Sequence, residues 1–285
     1  MSFIKKVLPL FGQPYLSFAK KINFFKTRND VRVLIFHSIP KSQENIFETQ
    51  INFLQKKYGF ITPNEFENFL KGESVFSGTK LLLTFDDGFL SNKTIAEKIL
   101  NPRAIKAIFF VLSRLILADL EDAKKIINQG VNAGTTNFET LPEEYLPMRL
   151  EDVQALIKQG HTIGSHTASH LRLSSINSSE TLEQEIINSG DQLEKLLGIS
   201  IRHFAYPFGS IESVNAKAIQ MAEKRYEYIH SGIRGSNCPN SNKLIWRDGI
   251  SSQYSLRDLK FIIEGGYDFV YLRARKKLRA MLCPL

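Results

Sequence analysis

The sequence predicts an α/β fold in which parallel strands alternate with helices, either as a barrel or as a doubly wound sheet. Seven short β-rich segments are separated mainly by segments with helical spacing of apolar residues. One of them, residues 107–112, is apolar throughout, as expected for a buried parallel strand. Polar residues capable of chemistry lie at or just after the carboxyl ends of these segments, where a barrel builds its active site.

The first predicted strand covers residues 31–37, a β-rich run that ends shortly before Pro40. This boundary places His37 at the carboxyl end of the strand. An amphipathic helix is then predicted over residues 46–58, and Pro63 begins another short helix.

The second strand, residues 80–85, runs directly into a pair of acidic residues. A helix over 92–100 is halted by Pro102, and the third strand, 107–112, follows it. Residues 113–147 are too long for a simple strand-to-helix connection, so we interpret them as an insertion over one face. Within the insertion the sequence predicts a helix at 119–127 and a polar stretch at 130–140.

The remaining segments continue the alternation of helix and strand. Gly198 is a clear stop signal for the longest of the helices. Helices are predicted over residues 151–158, 181–197, 214–223 and 256–263, and strands over 161–165, 203–209 with its turn, 226–230 and 244–246.

Composition limits the classes of partner. The chain has 285 residues, 43% of them hydrophobic, which suits one large domain or two small ones. The net charge of +8 is concentrated at the two ends, in Lys5, Lys6, Lys20, Lys21 and residues 273–279. Basic ends around a balanced middle favour contact with an anionic membrane, the alternative being ends that are solvated or packed on the barrel. No base-reading or aromatic stacking motif is present, so no nucleic-acid partner is expected.

No apolar run reaches the ~18 residues of a spanning helix. Residues 1–16 are interrupted by Gly12 and Pro14 before a signal core or cleavage site forms, so we expect an uncleaved segment. The resulting expectation is a cytoplasmic protein, held peripherally at the inner face of the membrane. The oligomeric state is left open. With only two cysteines, Cys238 and Cys283, any metal must be held by His and carboxylate.

Two stretches carry the predicted chemistry. Asp86 and Asp87 end the second strand within the run TFDDG, and Gly88 allows a sharp turn that brings both carboxylates into one pocket. His166 and His170 are four residues apart, which predicts that both rings lie on one side of a helical turn. One Asp and two His form the three-ligand set, with one open position, of a catalytic zinc.

These stretches resemble the first two motifs, Thr-Phe-Asp-Asp-Gly and His-(Ser/Thr)-x-x-His, of the polysaccharide deacetylases of carbohydrate esterase family 4. The resemblance covers about residues 31–270 and implies an irregular seven-stranded (β/α) barrel, TIM-barrel-like, with the insertion after its third strand. A basic and apolar segment, 1–30, and a basic tail, 271–285, would flank this domain. The resemblance further implies that Asp86 is the general base. It also implies a divalent ion, Zn²⁺ or alternatively Co²⁺ or Ni²⁺, held by Asp87, His166 and His170.

The third family motif, Tyr-Pro-(Tyr/Phe)-Gly, matches residues 206–209 and implies that the Phe208 N–H stabilises the oxyanion. The usual variant of this motif carries an Arg that orients the base, and this chain has Ala205 at that position. Arg247, after the last predicted strand, is our candidate to replace it.

The usual family motif Leu-x-His, which supplies the general acid near the C-terminus, is absent because no His follows His230. His37 resembles the His of a branch whose motif order looks circularly permuted. Since the first and last strands of a barrel are neighbours, we assign His37 as the general acid, the alternative being an ordinary strand-end residue.

The resemblance implies a metal-dependent hydrolase that removes the N-acetyl group from an amino sugar of a polysaccharide, oligosaccharide or glycan intermediate. The alternatives are a deacylase of a nucleotide-linked or lipid-linked amino sugar and an inactive relative that only binds carbohydrate. We expect the other histidines, His161, His203 and His230, to be structural or surface groups. We expect core positions for Phe109, Phe110, Tyr206 and Trp246, the last two with sugar stacking as an alternative.

Overall fold

The computed structural model describes residues 29–132, 137–241 and 243–282. Within these residues eight parallel strands form one sheet in the order β7-β6-β5-β4-β3-β2-β1-β8. The strands are β1 Asp30–Phe36, β2 Thr79–Phe85, β3 Ala107–Val111, β4 Thr162–Ser165, β5 His203–Ala205, β6 Tyr228–His230, β7 Leu244–Ile245 and β8 Arg247–Gly249. The sheet curves into an irregular, TIM-like (β/α) barrel, as predicted.

The barrel closes at Trp246. The predicted seventh strand, 244–246, corresponds to β7, which pairs with β6. An additional strand that was not predicted, β8, follows Trp246 and pairs with β1. Asn237 fills the gap between the two edges, donating from its N–H to the Val31 carbonyl and accepting from the Trp246 N–H, both at 2.9 Å. Since β7 and β8 are consecutive in the chain, the two edges of the sheet lie side by side.

The described helices alternate with the strands as predicted, and several begin at a capping side chain. Thr62 caps one helix through the Glu65 N–H, while the Glu65 carboxylate accepts from the Thr62 N–H. The helices are α1 Glu44–Lys57, α2 Pro63–Leu70, α3 Leu90–Ile95, α4 Leu120–Ile126, α5 Leu150–Lys158, α6 Ser179–Glu183, α7 Ser189–Leu197, α8 Ala216–Arg225, α9 Leu256–Ile263 and α10 Leu272–Arg279. π-Helical segments extend α3, α4 and α6 through Ala96–Leu100, Ile127–Val131 and Gln184–Asn188.

Among the described residues the hydrophobic core has two layers, one on each face of the sheet, and a third cluster in which residues of the insertion pack on Phe89. The larger layer lies between the outer face of the sheet and the surrounding helices. The smaller layer fills the barrel, where Phe66 and Phe69 of α2 pack with Val31 and Val33 of β1. Glu67 of α2 also pairs with Arg202, which immediately precedes β5. Helix α2 therefore covers the amino end of the barrel and leaves the carboxyl ends of the strands open.

The C-terminal segment packs on the barrel through α10, whose Leu278 is fully buried. Met281 and Leu282, which follow the basic residues 273–279, also contact the core. The exposed apolar side chains nearby are instead Phe269, Val270 and Leu272. The lysines of the N-terminal segment lie outside the described residues, so contact with a membrane stays a prediction. None of the described helices combines the length and apolarity that crossing a bilayer requires.

A buried cation joins this segment to the sheet. Arg32 of β1 donates to the Asp248 carboxylate at 2.7 and 2.8 Å and to the Asp268 carboxylate at 2.9 Å. Arg32 and Asp248 are almost fully buried. Removing one member of a buried pair leaves an uncompensated charge, which costs far more than removing an exposed pair.

We therefore expect Arg32→Ala to lower the free energy of unfolding by about 3 to 5 kcal/mol in urea denaturation. Lys125→Ala is the control because Lys125 and its partner Asp122 are both more than half exposed. It should leave the free energy of unfolding nearly unchanged, because an exposed ion pair contributes little to stability. An Arg32→Ala protein as stable as Lys125→Ala would contradict the structural role of this network.

Candidate active site

The acid pair is placed by a turn at the end of β2. The Asp86 N–H donates to the Phe36 carbonyl at 2.9 Å, which extends the pairing with β1. Asp87 and Gly88 then both adopt left-handed backbone conformations, with φ of 74° and 75°. This conformation is unusual for a non-glycine residue. The turn directs both carboxylates into the same cavity, as predicted.

The two histidines lie in a loop after β4, and the predicted helical turn is wrong. Thr167 and His170 have φ of 71° and 62°, which a right-handed helix does not allow. The Thr167 hydroxyl accepts from the His170 N–H at 3.0 Å, a local bond that competes with helical pairing. The rings of His166 and His170 nevertheless lie close together, 5.0 Å between centroids.

The three residues Asp87, His166 and His170 fit a metal ion. Asp87 Oδ1 lies 3.4 Å from Nε2 of both histidines. This oxygen is buried and has no hydrogen-bond partner among the described residues. His166 Nδ1–H donates to the Ala205 carbonyl at 2.7 Å, which fixes the ring with Nε2 toward Asp87. A cation between these atoms would satisfy the otherwise unpaired carboxylate oxygen.

The two ring pKa values are shifted in opposite directions. Burial lowers the pKa of His170 to about 4, so its imidazole is neutral near pH 7, the form that binds a metal. Burial also opposes protonation of His166, but the carboxylates of Asp86 and Asp87 outweigh it and raise the pKa of this ring. The local field around His166 thus favours positive charge.

Arg247 lies directly against Asp86. Its Nη1 and Nη2 donate to Oδ1 and Oδ2 of Asp86 at 2.8 and 3.0 Å, a bidentate pair between two buried side chains. Nη1 also donates to the Thr84 hydroxyl, and Nε donates to the Ser231 carbonyl at 3.0 Å. Burial opposes ionisation of Asp86, but Arg247 outweighs it and lowers the pKa of this carboxyl. Asp86 is therefore ionised at neutral pH.

His37 and Phe208 approach the site from two other strand ends. His37 follows β1, and its exposed side chain lines the cavity. Phe208 has φ of 62°, and its ring contacts that of His170 edge to face, 4.7 Å between centroids. The guanidinium of Arg172 lies 4.3 Å from the centre of the Phe208 ring.

One cavity of about 690 Å³ contains every predicted site residue. It opens at the carboxyl ends of the strands, and its lining includes His37, Asp86, Asp87, His166, His170, Phe208 and Arg247. Seven residues from five separate segments of the sequence therefore converge in one place.

Part of the cavity wall was not predicted. The insertion contributes Val131, Asn132, Glu144 and Tyr145 to the lining. The one sequence feature that could have indicated this wall is Tyr145, an aromatic residue in a polar segment shortly before Pro147. The sequence does not show that its ring faces the cavity.

The residues expected to be structural are buried. Tyr206 is fully buried and donates from its hydroxyl to the Gly209 carbonyl at 3.0 Å, and Trp246 is 3% exposed. The core prediction is confirmed for both, and neither offers a face for a sugar. His161, His203 and His230 are also buried away from the metal ligands, and Phe109 and Phe110 are core.

The fold and this site define a (β/α) barrel with a buried Asp-His-His set and a second, Arg-paired carboxylate at the carboxyl ends of its strands. Residues 75–227 match the sequence model of a family described as "Polysaccharide deacetylase". The chain belongs to this family, which supports N-deacetylation of a polysaccharide as its activity. A comparison with curated proteins finds no significant match.

Solved structures share the fold. IcaB from Ammonifex degensii has 22% identity and a TM-score of 0.64, covering 84% of this chain and 98% of its own. The Streptococcus pyogenes deacetylase PplD, solved with acetate, has 19% identity and a TM-score of 0.64, covering 84% and 99%. A de-N-acetylase from Aggregatibacter actinomycetemcomitans has 18% identity and a TM-score of 0.66, covering 82% and 99%. These similarities establish the barrel, which all three share with this chain along most of its length.

The insertion also packs at Gly130 against the loop that carries His166 and His170. A Cβ atom added there would lie 2.2 Å from the Ser169 carbonyl oxygen and 3.2 Å from His170 Cβ. Only a glycine lets the end of the π-helical segment after α4 approach this loop so closely. The position of His170 therefore depends on the insertion.

We expect Gly130→Ala to displace the loop and weaken Zn²⁺ binding about tenfold to a hundredfold, the usual effect of disturbing the support of a ligand. Calorimetric titration with Zn²⁺ measures the affinity, and circular dichroism checks that the variant is folded. Gly249→Ala is the control, because its added Cβ would meet nothing within 4 Å. Equal Zn²⁺ affinity in both variants would mean that Gly130 does not position His170.

Proposed function

We propose that this protein is a metal-dependent hydrolase that removes the N-acetyl group from an N-acetylated amino sugar of a polysaccharide, oligosaccharide or glycan intermediate. The observation that carries the proposal is the convergence of an ionised, Arg-paired carboxylate and an Asp-His-His set in one cavity. An inactive carbohydrate-binding relative would have no need for both features. Membership in the family supports the same reaction.

We assign each site residue a catalytic or metal-binding role from its position in the cavity. A divalent ion bound by Asp87, His166 and His170 would supply Lewis acidity toward the acetamide, and this ligand set suits Zn²⁺, Co²⁺ or Ni²⁺. Asp86 accepts the proton of the attacking water because Arg247 keeps its carboxylate ionised and oriented. As the acetamide carbon becomes tetrahedral, the Phe208 N–H donates to its oxygen. His37 then donates a proton to the leaving nitrogen, which gives acetate and a free amine.

The roles of the two adjacent acids separate in a pair of substitutions. Asp87→Ala should lose Zn²⁺ binding, since it removes a ligand. Asp86→Asn should retain bound Zn²⁺ and lose most turnover, because an amide cannot accept the proton. His166→Ala and His170→Ala should behave like Asp87→Ala. Elemental analysis and release of acetate from an N-acetylated glucosamine oligomer are measured on the same samples, and an Asp86→Asn protein as active as the parent would contradict the assignment of the base.

His37→Ala should bind Zn²⁺ like the parent but lower kcat by about a hundredfold to ten-thousandfold, the usual effect of losing one general acid. The reason is that His37 lies outside the ligand set yet lines the cavity. Ser38→Ala is a neighbouring control that leaves the imidazole in place. If His37→Ala slowed turnover less than about threefold, the proton would have to come from another group.

A further inference from the structure

We propose that the insertion forms a second sugar-binding subsite next to the reacting group, and that its ligand is a hexosamine unit that carries a free amine. Tyr145 would bind the face of this sugar, and Glu144 would bind its ammonium group. The proposal rests on the proposed function and adds to it a preference for glycans that are already partly deacetylated.

The insertion is held directly beside the acid pair. Its returning segment forms backbone hydrogen bonds on both sides of Phe89, from the Met148 N–H to the Gly88 carbonyl at 2.9 Å and from the Leu90 N–H to the Leu146 carbonyl at 2.7 Å. Phe89 and Pro147 form an antiparallel bridge between them. Because Gly88 immediately follows Asp87, Glu144 and Tyr145 are held at a fixed position relative to the catalytic carboxylates.

Tyr145 presents an oriented aromatic surface. Its ring contacts Phe89 edge to face, 5.4 Å between centroids, and lies 4.9 Å from the ring of Phe138. The side chain is half-buried and lines the cavity. Two aromatic neighbours thus restrict the ring while part of its surface faces the space where a glycan would lie. Aromatic faces with a polar hydroxyl suit a ligand that has both apolar C–H groups and hydroxyls.

Glu144 adds a negative charge to the same wall. It lines the cavity and forms no ion pair with any residue in the described ranges. The two lysines of α4 do not neutralise it, since Lys124 pairs with Glu121 and Lys125 pairs with Asp122. A half-buried carboxylate that forms no ion pair with the described residues favours a cationic group over an anionic one.

The chemistry of the reaction connects this charge to a ligand. Removal of an acetyl group converts a neutral acetamide into a basic amine on the same sugar. If the next unit of the same glycan then entered the site, the amine already formed would lie on a neighbouring unit, beside the cavity wall. A carboxylate at that wall would bind the protonated amine through a charge-assisted hydrogen bond, so a partly deacetylated chain should be the better substrate.

The test compares two tetramers of glucosamine, one fully N-acetylated and one with a single free amine. For the parent we expect kcat/KM to be about fivefold or more higher on the tetramer with the amine, within the range of a charge-assisted contact. Glu144→Gln should abolish this preference. Glu143→Gln removes the same charge from the adjacent, exposed position that does not line the cavity, and it should keep the preference.

Tyr145→Ala should raise KM about threefold to tenfold on both tetramers with kcat nearly unchanged, and Tyr145→Phe should restore most of the affinity. Equal kcat/KM on the two tetramers for the parent, or a preference that survives in Glu144→Gln, would overturn the assigned ligand. Parent-like KM in Tyr145→Ala would overturn the assigned stacking surface.

Calorimetric binding of both tetramers to Asp86→Asn separates this inference from the proposed function. If the parent releases no acetate but Asp86→Asn binds the amine-bearing tetramer more tightly, and Glu144→Gln on that background removes the difference, the subsite exists and the proposed activity is wrong. If the parent releases acetate and the Glu144 and Tyr145 variants match it, the activity is right and the subsite is wrong.

Discussion

The bidentate pair between Arg247 and Asp86 is the interaction on which the site depends. Removing two charges from water costs several kcal/mol for each ion, and this cost is offset only where the geometry is good and the remaining donors are satisfied. Here Ser231 and Thr84 accept two further N–H groups of Arg247. Arg247 begins β8, which reaches β2 only because β8 pairs with β1. Closure of the barrel therefore also places Arg247 where it keeps the Asp86 carboxylate ionised.

Two histidines inside the barrel, His203 and His230, are neutral and add no positive charge next to Arg247. The Glu67 carboxylate accepts a hydrogen bond from His203 Nε2–H at 3.0 Å. Because the neutral His203 ring carries its proton on Nε2, its Nδ1 accepts from His230 Nε2–H, also at 3.0 Å. Burial lowers the pKa of His230 well below its usual value, and the positive charge of Arg247 acts in the same direction. His230 therefore stays neutral, and Arg247 is the cation that faces Asp86 from inside the barrel.

Much of this arrangement could be predicted because it depends on local patterns. Continuous apolar runs such as 107–112 indicate buried parallel strands, and the polar residues that follow a strand must lie at its carboxyl end. The additional strand β8 after Trp246 could not be predicted, since it forms by pairing with the distant strand β1. Nor could the left-handed backbone of Asp87, His170 and Phe208, which costs about 1 kcal/mol or more at a non-glycine residue and persists only when tertiary contacts impose it.

Outside its predicted helix the insertion lacked a periodic pattern, so its function could not be read from its residues alone, yet it contacts both the acid loop and the histidine loop. It joins the acid loop through Gly88 and Phe89, and it meets the histidine loop through Gly130. Closely packed interiors transmit displacements from one residue to the next. A shift of the insertion would therefore move both the cavity wall proposed to contact the glycan and the residues proposed to bind the ion. Substitutions in the insertion that change glycan specificity must therefore leave the positions of Asp87 and His170 unchanged. Variation in specificity should be confined to side chains such as Glu144 and Tyr145, which line the cavity without forming those backbone contacts.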